Sequence, residues 1–280
     1  MTMGVFKDTT IGFIGGGVMG TAMIGGLLSK DLIPRENIVV ADPYMEQGEK
    51  LVNKYGIRYT QDNMEACREA DILVLSVKPQ VMDRVMAPMR GRVDHVGLVL
   101  SIVASIKMQT MVSALLNSRV VRSMPNTPAQ IGQGMTVWCA THEVMERQHQ
   151  QAAALLGALG EQLYVDDERL LDMATALNGS GPGFVFLFME AMIDAGVRMG
   201  FSHRDASRLV LQTLRGSINF AAESGEHPAI LRNQVTSPGG TTAAGLYELE
   251  KMNLRTAVAE GIWAAYQRAV SLGNRDVDEK

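Results

Sequence analysis

Short apolar runs without a polar alternate recur through the first half of the chain, at residues 10–14, 38–41, 72–77, 98–103 and 120–124. Runs this short and this rich in Ile, Val and Leu predict strands buried on both faces, as in a parallel sheet covered by helices. Amphipathic stretches lie between them and predict helices over 18–30, 45–55, 80–89 and 107–116. Two more strands, 135–139 and 162–165, flank a helix near 144–156. The repeated strand–helix order predicts a doubly wound α/β domain over residues 1–167. From Arg169 onward the period changes. Leu171, Ala174 and Leu177, then Val185, Phe188, Met189, Met192 and Ile193, recur at helical spacing. Further helices are expected over 203–223, 241–250 and 254–271, with breaks at Gly181-Pro182, His227-Pro228 and Ser237-Pro238-Gly239-Gly240 and a frayed, charged end over 274–280. Residues 168–280 therefore read as a second, all-helical domain.

Composition narrows the class. At 280 residues, 46% hydrophobic and with a net charge of −4, the chain can bury a sizeable core and lacks the basic surplus of a nucleic-acid binder. Cys67 and Cys139 stand in no CxxC or Cys/His ladder, so neither a disulfide scaffold nor a structural zinc is expected. The five histidines are scattered and form no ligand pair, and no metal is expected. The first residues carry no signal-peptide pattern, and no segment reaches the roughly 20 apolar residues of a spanning helix; a cytoplasmic protein is expected. The 19 methionines read as flexible core filler.

The first strand is followed at once by Gly15-Gly16-Gly17-Val18-Met19-Gly20. Gly15 permits a tight turn, Gly17 lets backbone approach a pyrophosphate, and Gly20 lets helix pack on strand. The helix start then offers free N–H groups and a positive dipole end to an anion. The second strand ends at Asp42, about twenty residues on, where an acidic side chain can hold the ribose 2′-OH of NADH. Asp42-Pro43 can equally open a turn and cap the next helix, so NADH against NADPH stays open with a lean to NADH. Ligands in such sheets bind at the carboxyl ends of strands. That adds Ser76, Val77, Lys78 and Pro79, then Ala104, then Met124-Pro125-Asn126-Thr127-Pro128, whose prolines hold Asn126 and Thr127 in place. Lys78 can neutralise phosphate or simply face solvent, and the proline-flanked loop can be a plain rigid connection.

The helical half carries Leu177-Asn178-Gly179-Ser180-Gly181-Pro182-Gly183-Phe184 and Val235-Thr236-Ser237-Pro238-Gly239-Gly240-Thr241-Thr242. With the glycine loop and Met124-Pro125-Asn126-Thr127-Pro128, these motifs resemble those of the pyrroline-5-carboxylate reductases over residues 10–271. The resemblance implies an N-terminal Rossmann-type doubly wound parallel sheet with a C-terminal helical dimerisation domain, and a homo-oligomer of interlocked dimers, or assemblies of such dimers up to a decamer. It implies that NADPH or NADH contacts Gly15, Gly16, Gly17, Val18, Met19, Gly20, Asn63, Ser76, Val77, Lys78, Pro79 and Ala104. Glu168 and residues 178–182 are implied to lie near the nicotinamide. Ser237, Gly239, Gly240, Thr241 and Thr242 are implied to hold the substrate, next to Gln234. Gly183-Phe184 stands where many relatives carry Ala-Tyr, and Gln234 where asparagine is frequent.

The residues of the second motif agree with that implication. Ser237 is a good N-cap and Pro238 a good first helical residue, and Gly239 and Gly240 leave the N–H groups of a helix start open to a carboxylate. The expected reaction is hydride addition to the C=N bond of 1-pyrroline-5-carboxylate, giving proline. A ring imine protonates easily, so positioning matters more than a strong acid, and Thr242 is the expected hydrogen-bond partner of the imine nitrogen. A β-hydroxyacid dehydrogenase would need a catalytic lysine on the helix Phe184-Val185-Phe186-Leu187-Phe188-Met189-Glu190, which has none. A dinucleotide-binding redox sensor would not need the open anion site. Ser180 lacks the first glycine of a hydrolase elbow, because Asn178 stands there.

Overall fold

A computed structural model describes residues 4–278. Eight strands form one sheet in the order β3-β2-β1-β4-β5-β6-β7-β8. They are β1 (Ile11–Ile14), β2 (Ile38–Ala41), β3 (Arg58–Thr60), β4 (Ile72–Leu75), β5 (Leu98–Ser101), β6 (Val120–Met124), β7 (Gly134–Ala140) and β8 (Gly160–Tyr164). All neighbours pair parallel except β6 and β7. The order reverses between β1 and β4, which opens a crevice at the carboxyl ends of those strands. The expected strands over 72–77 and 98–103 stop early, at Leu75 and Ser101. Ser76 keeps one backbone bond to Ile14 at 2.9 Å, and its hydroxyl also donates to the carbonyls of Ile14 and Gly15.

The helices of this half are α1 (Val18–Ser29), α2 (Met45–Tyr55), α3 (Asn63–Arg68), α4 (Met82–Met86), α5 (Met108–Leu115) and α6 (Glu146–Gly157). They sandwich the sheet between two apolar layers. Phe13, Ile24, Leu27, Trp138 and Leu155 fill one, and Ile14, Leu73, Val99, Met86 and Met111 the other. The helix expected over 80–89 is broken: a 3-10 turn over Pro79–Val81 precedes α4, and another over Ala87–Met89 follows it, where Pro88 has no N–H to continue the helix. Strand β3 and helix α3 lie outside the expected elements. β3 is a three-residue polar edge strand without an apolar run, and α3 depends on one cap, Met64 N–H donating to Asp62 Oδ1 at 2.9 Å.

The second half is helical, with α7 (Arg169–Ala174), α8 (Gly181–Arg198), α9 (His203–Ser224), α10 (Pro228–Gln234), α11 (Thr241–Lys251) and α12 (Leu254–Asp278). The expected break at Gly181-Pro182 does not occur. A π turn over Thr175–Gly179 joins α7 to α8, and Pro182 falls in the first turn of α8, where its missing N–H costs nothing. The end expected to fray is helical to Asp278, and the last two positions lie outside the described residues. Contacts divide the chain into two compact units. One runs to Ser180 and regains the end of α12 from Ala265; the other is Gly181–Ala264.

The unit Gly181–Ala264 buries few of its own side chains, among them Ala206 and Val210, while Phe186, Leu187, Ile218, Phe220 and Trp263 are exposed. The run Arg169–Arg198 also has the length and apolar composition of a membrane-crossing helix, against the expectation of no such segment. Polar residues interrupt it, so it contains no long run of consecutive apolar positions.

Two outcomes test the packing. Gly26 lies so near α6's end that a β-carbon there would stand 2.4 Å from the Ala158 carbonyl oxygen. Gly26→Val is expected to destabilise by about 1–3 kcal/mol, since this overlap with backbone outweighs a gain of less than ~0.5 kcal/mol in helix propensity; a thermal melt unchanged or raised would contradict the contact. Burial pushes the thiols of Cys67 and Cys139 up to about 12, with Asp62 adding to the first and Glu168 to the second. Neither should react with iodoacetamide at pH 8 until the protein is unfolded. Their contribution to stability is full below about pH 8.5, the unfolded value, and is lost as pH rises through the folded value.

Candidate functional site

The glycine loop is shaped by contacts that admit no side chain. Gly15 has φ +102°, and a β-carbon there would stand 2.8 Å from the Ser76 carbonyl oxygen. A β-carbon on Gly20 would stand 2.6 Å from the Gly15 oxygen and 3.0 Å from Ser76 Oγ. These approaches bind the β1–α1 turn to the end of β4 across the point where strand order reverses. Gly17 is different. A β-carbon there meets nothing within 4 Å, and the residue is exposed as the uncapped N-cap of α1. An open glycine at an uncapped helix start fits a phosphate group, which would take the N–H groups of Val18 and Met19.

Asp42 lies at the end of β2, 7% exposed. Its Oδ2 accepts the Gly16 N–H at 2.8 Å and its Oδ1 the Tyr44 N–H at 3.0 Å. It does not cap α2, whose N-cap is Tyr44. Its carboxylate instead braces the glycine loop through Gly16. Tyr59 Oη donates to the Asp42 carbonyl at 3.1 Å; burial first, then the charges of Asp42 and Glu49, push this phenol up, so it remains a donor. Asn63 opens α3 beside the same strand ends, and the Asp42 N–H donates to the Thr60 carbonyl at 3.1 Å. Ser76, Val77 and Pro79 are half-buried and Lys78 exposed after β4, and Ala104 is half-buried after β5. Gly15, Gly16, Gly17, Val18, Met19, Gly20, Asp42, Asn63, Ser76, Val77, Lys78, Pro79 and Ala104 thus all stand at the carboxyl ends of β1 to β5.

Asn126 and Glu168 are placed differently. Asn126 donates to Asn178 Oδ1 at 2.9 Å and accepts the Met135 N–H at 2.9 Å, while Asn178 donates to the carbonyls of Met124 and Met135 at 3.2 and 3.0 Å. Its side chain is committed to holding the π turn against β6 and β7. Glu168 Oε1 accepts the Met108 N–H at 2.8 Å and faces Arg122 Nη1 at 2.9 Å, and Arg122 Nη2 reaches Asp172 Oδ1 at 2.8 Å. Arg122 and Asp172 were not among the sequence candidates. The available signals were an arginine inside an apolar strand and two acids four residues apart, on one helical face.

In the helical unit, Ser237 is not an N-cap. The Gly240 N–H closes a turn onto the Ser237 carbonyl at 3.0 Å, with Pro238 and Gly239 (φ +70°) at its corner, and Gly240 is the N-cap of α11. A β-carbon on Gly240 would stand 2.5 Å from Ser237 Oγ, so a larger residue there would displace this hydroxyl. No side chain caps α11, which leaves its first N–H groups open, with Thr241 exposed and Thr242 half-buried beside them. Gln234 ends α10 and is exposed. A cavity of about 660 Å³ lies elsewhere, along the outer face of α1, and shares only Gly17 and Val18 with these residues. Among the described residues no cluster of His, Cys, Asp and Glu could hold a metal.

Residues 168–272 match the family described as pyrroline-5-carboxylate reductase dimerisation, and residues 10–105 the one described as NADP oxidoreductase, coenzyme F420-dependent. The chain is 40% identical to a pyrroline-5-carboxylate reductase of Synechocystis over 265 residues, 95% of this chain and 98% of that one. The solved pyrroline-5-carboxylate reductase of Coxiella burnetii superposes with a TM-score of 0.88 at 33% identity, covering 94% of this chain and 98% of the other. That of Plasmodium falciparum, solved with NADP bound, gives 0.87 at 30%, covering 96% and 99%. With identity of this order sustained over nearly its whole length, the chain belongs to the pyrroline-5-carboxylate reductase family.

Proposed function

We propose that this chain reduces the C=N bond of 1-pyrroline-5-carboxylate to L-proline, the last step of proline synthesis, with NADPH or NADH as coenzyme. The observation that carries the substrate assignment is the uncapped start of α11 behind the Ser237-Pro238-Gly239-Gly240 turn. Open N–H groups and a positive dipole end suit a carboxylate, and small glycines let it approach. Thr241 and Thr242 supply hydroxyls there, and Thr242 donates to or accepts from the imine nitrogen. Gln234 borders the same turn.

Reduced nicotinamide supplies the hydride when bound. The residues of the chain position and match charge, because an iminium is already electrophilic. The nitrogen gains its proton from solvent before hydride arrives, and the carbon takes the hydride. The glycine loop with Val18 and Met19 holds the pyrophosphate. Asn63, Ser76, Val77, Lys78, Pro79, Ala104 and the loop of Asn126 line the rest of the coenzyme, and Glu168 stands by the nicotinamide. Asp42 ends β2, the position at which an acidic residue holds the ribose 2′-OH in this type of fold, and on this ground NADH is the favoured coenzyme.

The division of labour in this reading gives residues 1–167 to the dinucleotide and 168–280 to substrate and association. The exposed apolar side chains of α8, α9 and α12 form the contact between subunits, in interlocked dimers whose active sites each draw on two chains. The same cover accounts for Arg169–Arg198 without a bilayer, and the protein is cytoplasmic. Light scattering should return a dimer or a multiple of it; a monomer at micromolar concentration would remove the interface.

The assay follows loss of nicotinamide absorbance with pyrroline-5-carboxylate, NADH and NADPH run in parallel. A kcat/KM within about 10⁴–10⁸ M⁻¹s⁻¹ is expected, higher with NADH. Silence with both coenzymes, in protein that binds dinucleotide, would refute the substrate. Thr242→Ala should lower kcat/KM by well over twofold, and a change within about twofold, roughly 0.4 kcal/mol, would remove Thr242 from the role.

A further inference from the structure

Arg122 is a charge inside a strand. It lies on β6 with only 4% of its side chain exposed, and its two outer nitrogens are divided between Glu168 at 2.9 Å and Asp172 at 2.8 Å. Glu168 precedes α7 and Asp172 lies one turn further on, so a single guanidinium fork grips both acids of one helical face. The same Glu168 oxygen that meets Arg122 also accepts the Met108 N–H at 2.8 Å, at the first residue of α5. With Oε1 held by two donors, the carboxylate has one orientation. Glu168 keeps 26% of its side chain exposed, so the clamp fixes the acid without sealing it off.

The position of the clamp gives it a task. Arg122 is two residues from the carboxyl end of β6, and Met108 follows the loop that carries Ala104 after β5. Both strand ends belong to the coenzyme crevice. Stability alone is a poor reason for such a group, since a buried ion pair gains little over apolar residues of the same volume. The cluster carries one positive and two negative charges, and the positive end of the α5 dipole lies against the surplus.

We propose that Arg122 is a positioning residue for the reduction: it aims Glu168 at the nicotinamide end of the crevice and ties the loop bearing Ala104 to the same point. This rests on the reading of Glu168 as a coenzyme contact. Arg122 itself touches no reactant. Lysine cannot replace it, because a single ammonium cannot grip two carboxylates as a planar fork does.

The test is a cycle of Arg122→Lys, Glu168→Gln and the double variant in the full-length protein. It reads the Kd for reduced dinucleotide by fluorescence, kcat and KM for pyrroline-5-carboxylate, and Tm. Arg122→Lys is expected to weaken dinucleotide binding about tenfold and to change KM for the imine acid by less than about twofold. In the Glu168→Gln background the same change should add less than about twofold, because the residue it aims is already altered. Effects that multiply in the double variant, or a lowered Tm with Kd unmoved, would reduce Arg122 to a structural ion pair and overturn the proposal. If Glu168→Gln alone leaves Kd and kcat unchanged, the reading of Glu168 fails first, and the outcome is distinct. Asp172→Asn is the second variant should Arg122→Lys not fold. It frees one limb of the fork and should weaken dinucleotide binding about threefold, and an unchanged Kd overturns the proposal equally.

Discussion

The close approach of the Gly15 backbone to that of Ser76 is the constraint on which the rest of the site depends. It joins the turn after β1 to the end of β4 where no side chain could fit. The sheet reverses its order between these two strands, so this contact sets the width of the crevice at its centre. Everything else is hung from it. Gly20 allows α1 to settle on the same point, Asp42 braces Gly16 from β2, and the uncapped start of α1 is left facing outward. The apolar layers on both faces of the sheet make the frame stiff, and the polar groups concentrate at one edge of it.

A second polar system, Arg122 with Glu168 and Asp172, has a different logic. The glycine loop works by absence of side chains, whereas this cluster works by saturation. Each charged group is held by a partner of opposite sign, and the backbone N–H of Met108 takes part. The Asn126–Asn178 pair acts alike with neutral groups, using amides to hold the π turn against β6 and β7. Both systems lie where the sheet meets residues 168–180, and both spend side-chain chemistry on placement of backbone.

How far the sequence could be read follows from how local each signal is. The strands 38–41 and 120–124 and the helix 45–55 are legible to the residue because apolar period and turn residues coincide at their ends. The helix α3 and strand β3 are not, since they depend on the Asp62 cap and on pairing with Val39, Val40 and Ala41. Gly181-Pro182 misleads for a related reason. A proline after a glycine predicts a break, yet a π turn just before it lets the helix run on. The glycine loop was legible as a site because its spacing is itself the mechanism. Asp42 was legible as a position, but its bonds to Gly16 and Tyr44 are tertiary. Arg122 was invisible as a clamp because its partners lie 46 and 50 residues away.

The turn at Ser237-Pro238-Gly239-Gly240 has a consequence for how this protein can change over generations. Gly239 occupies a left-handed conformation that strains any side chain, and a β-carbon on Gly240 would displace the Ser237 hydroxyl and crowd its carbonyl at 3.1 Å, so the two positions resist alanine for different reasons. Every single-base change of a glycine codon that alters the residue adds a side chain, and none restores glycine's freedom. Change of substrate is therefore resisted at these two positions and freer in backbone terms at their neighbours Thr241 and Gln234, which are exposed. Drift in specificity should accordingly be written around the turn and not in it.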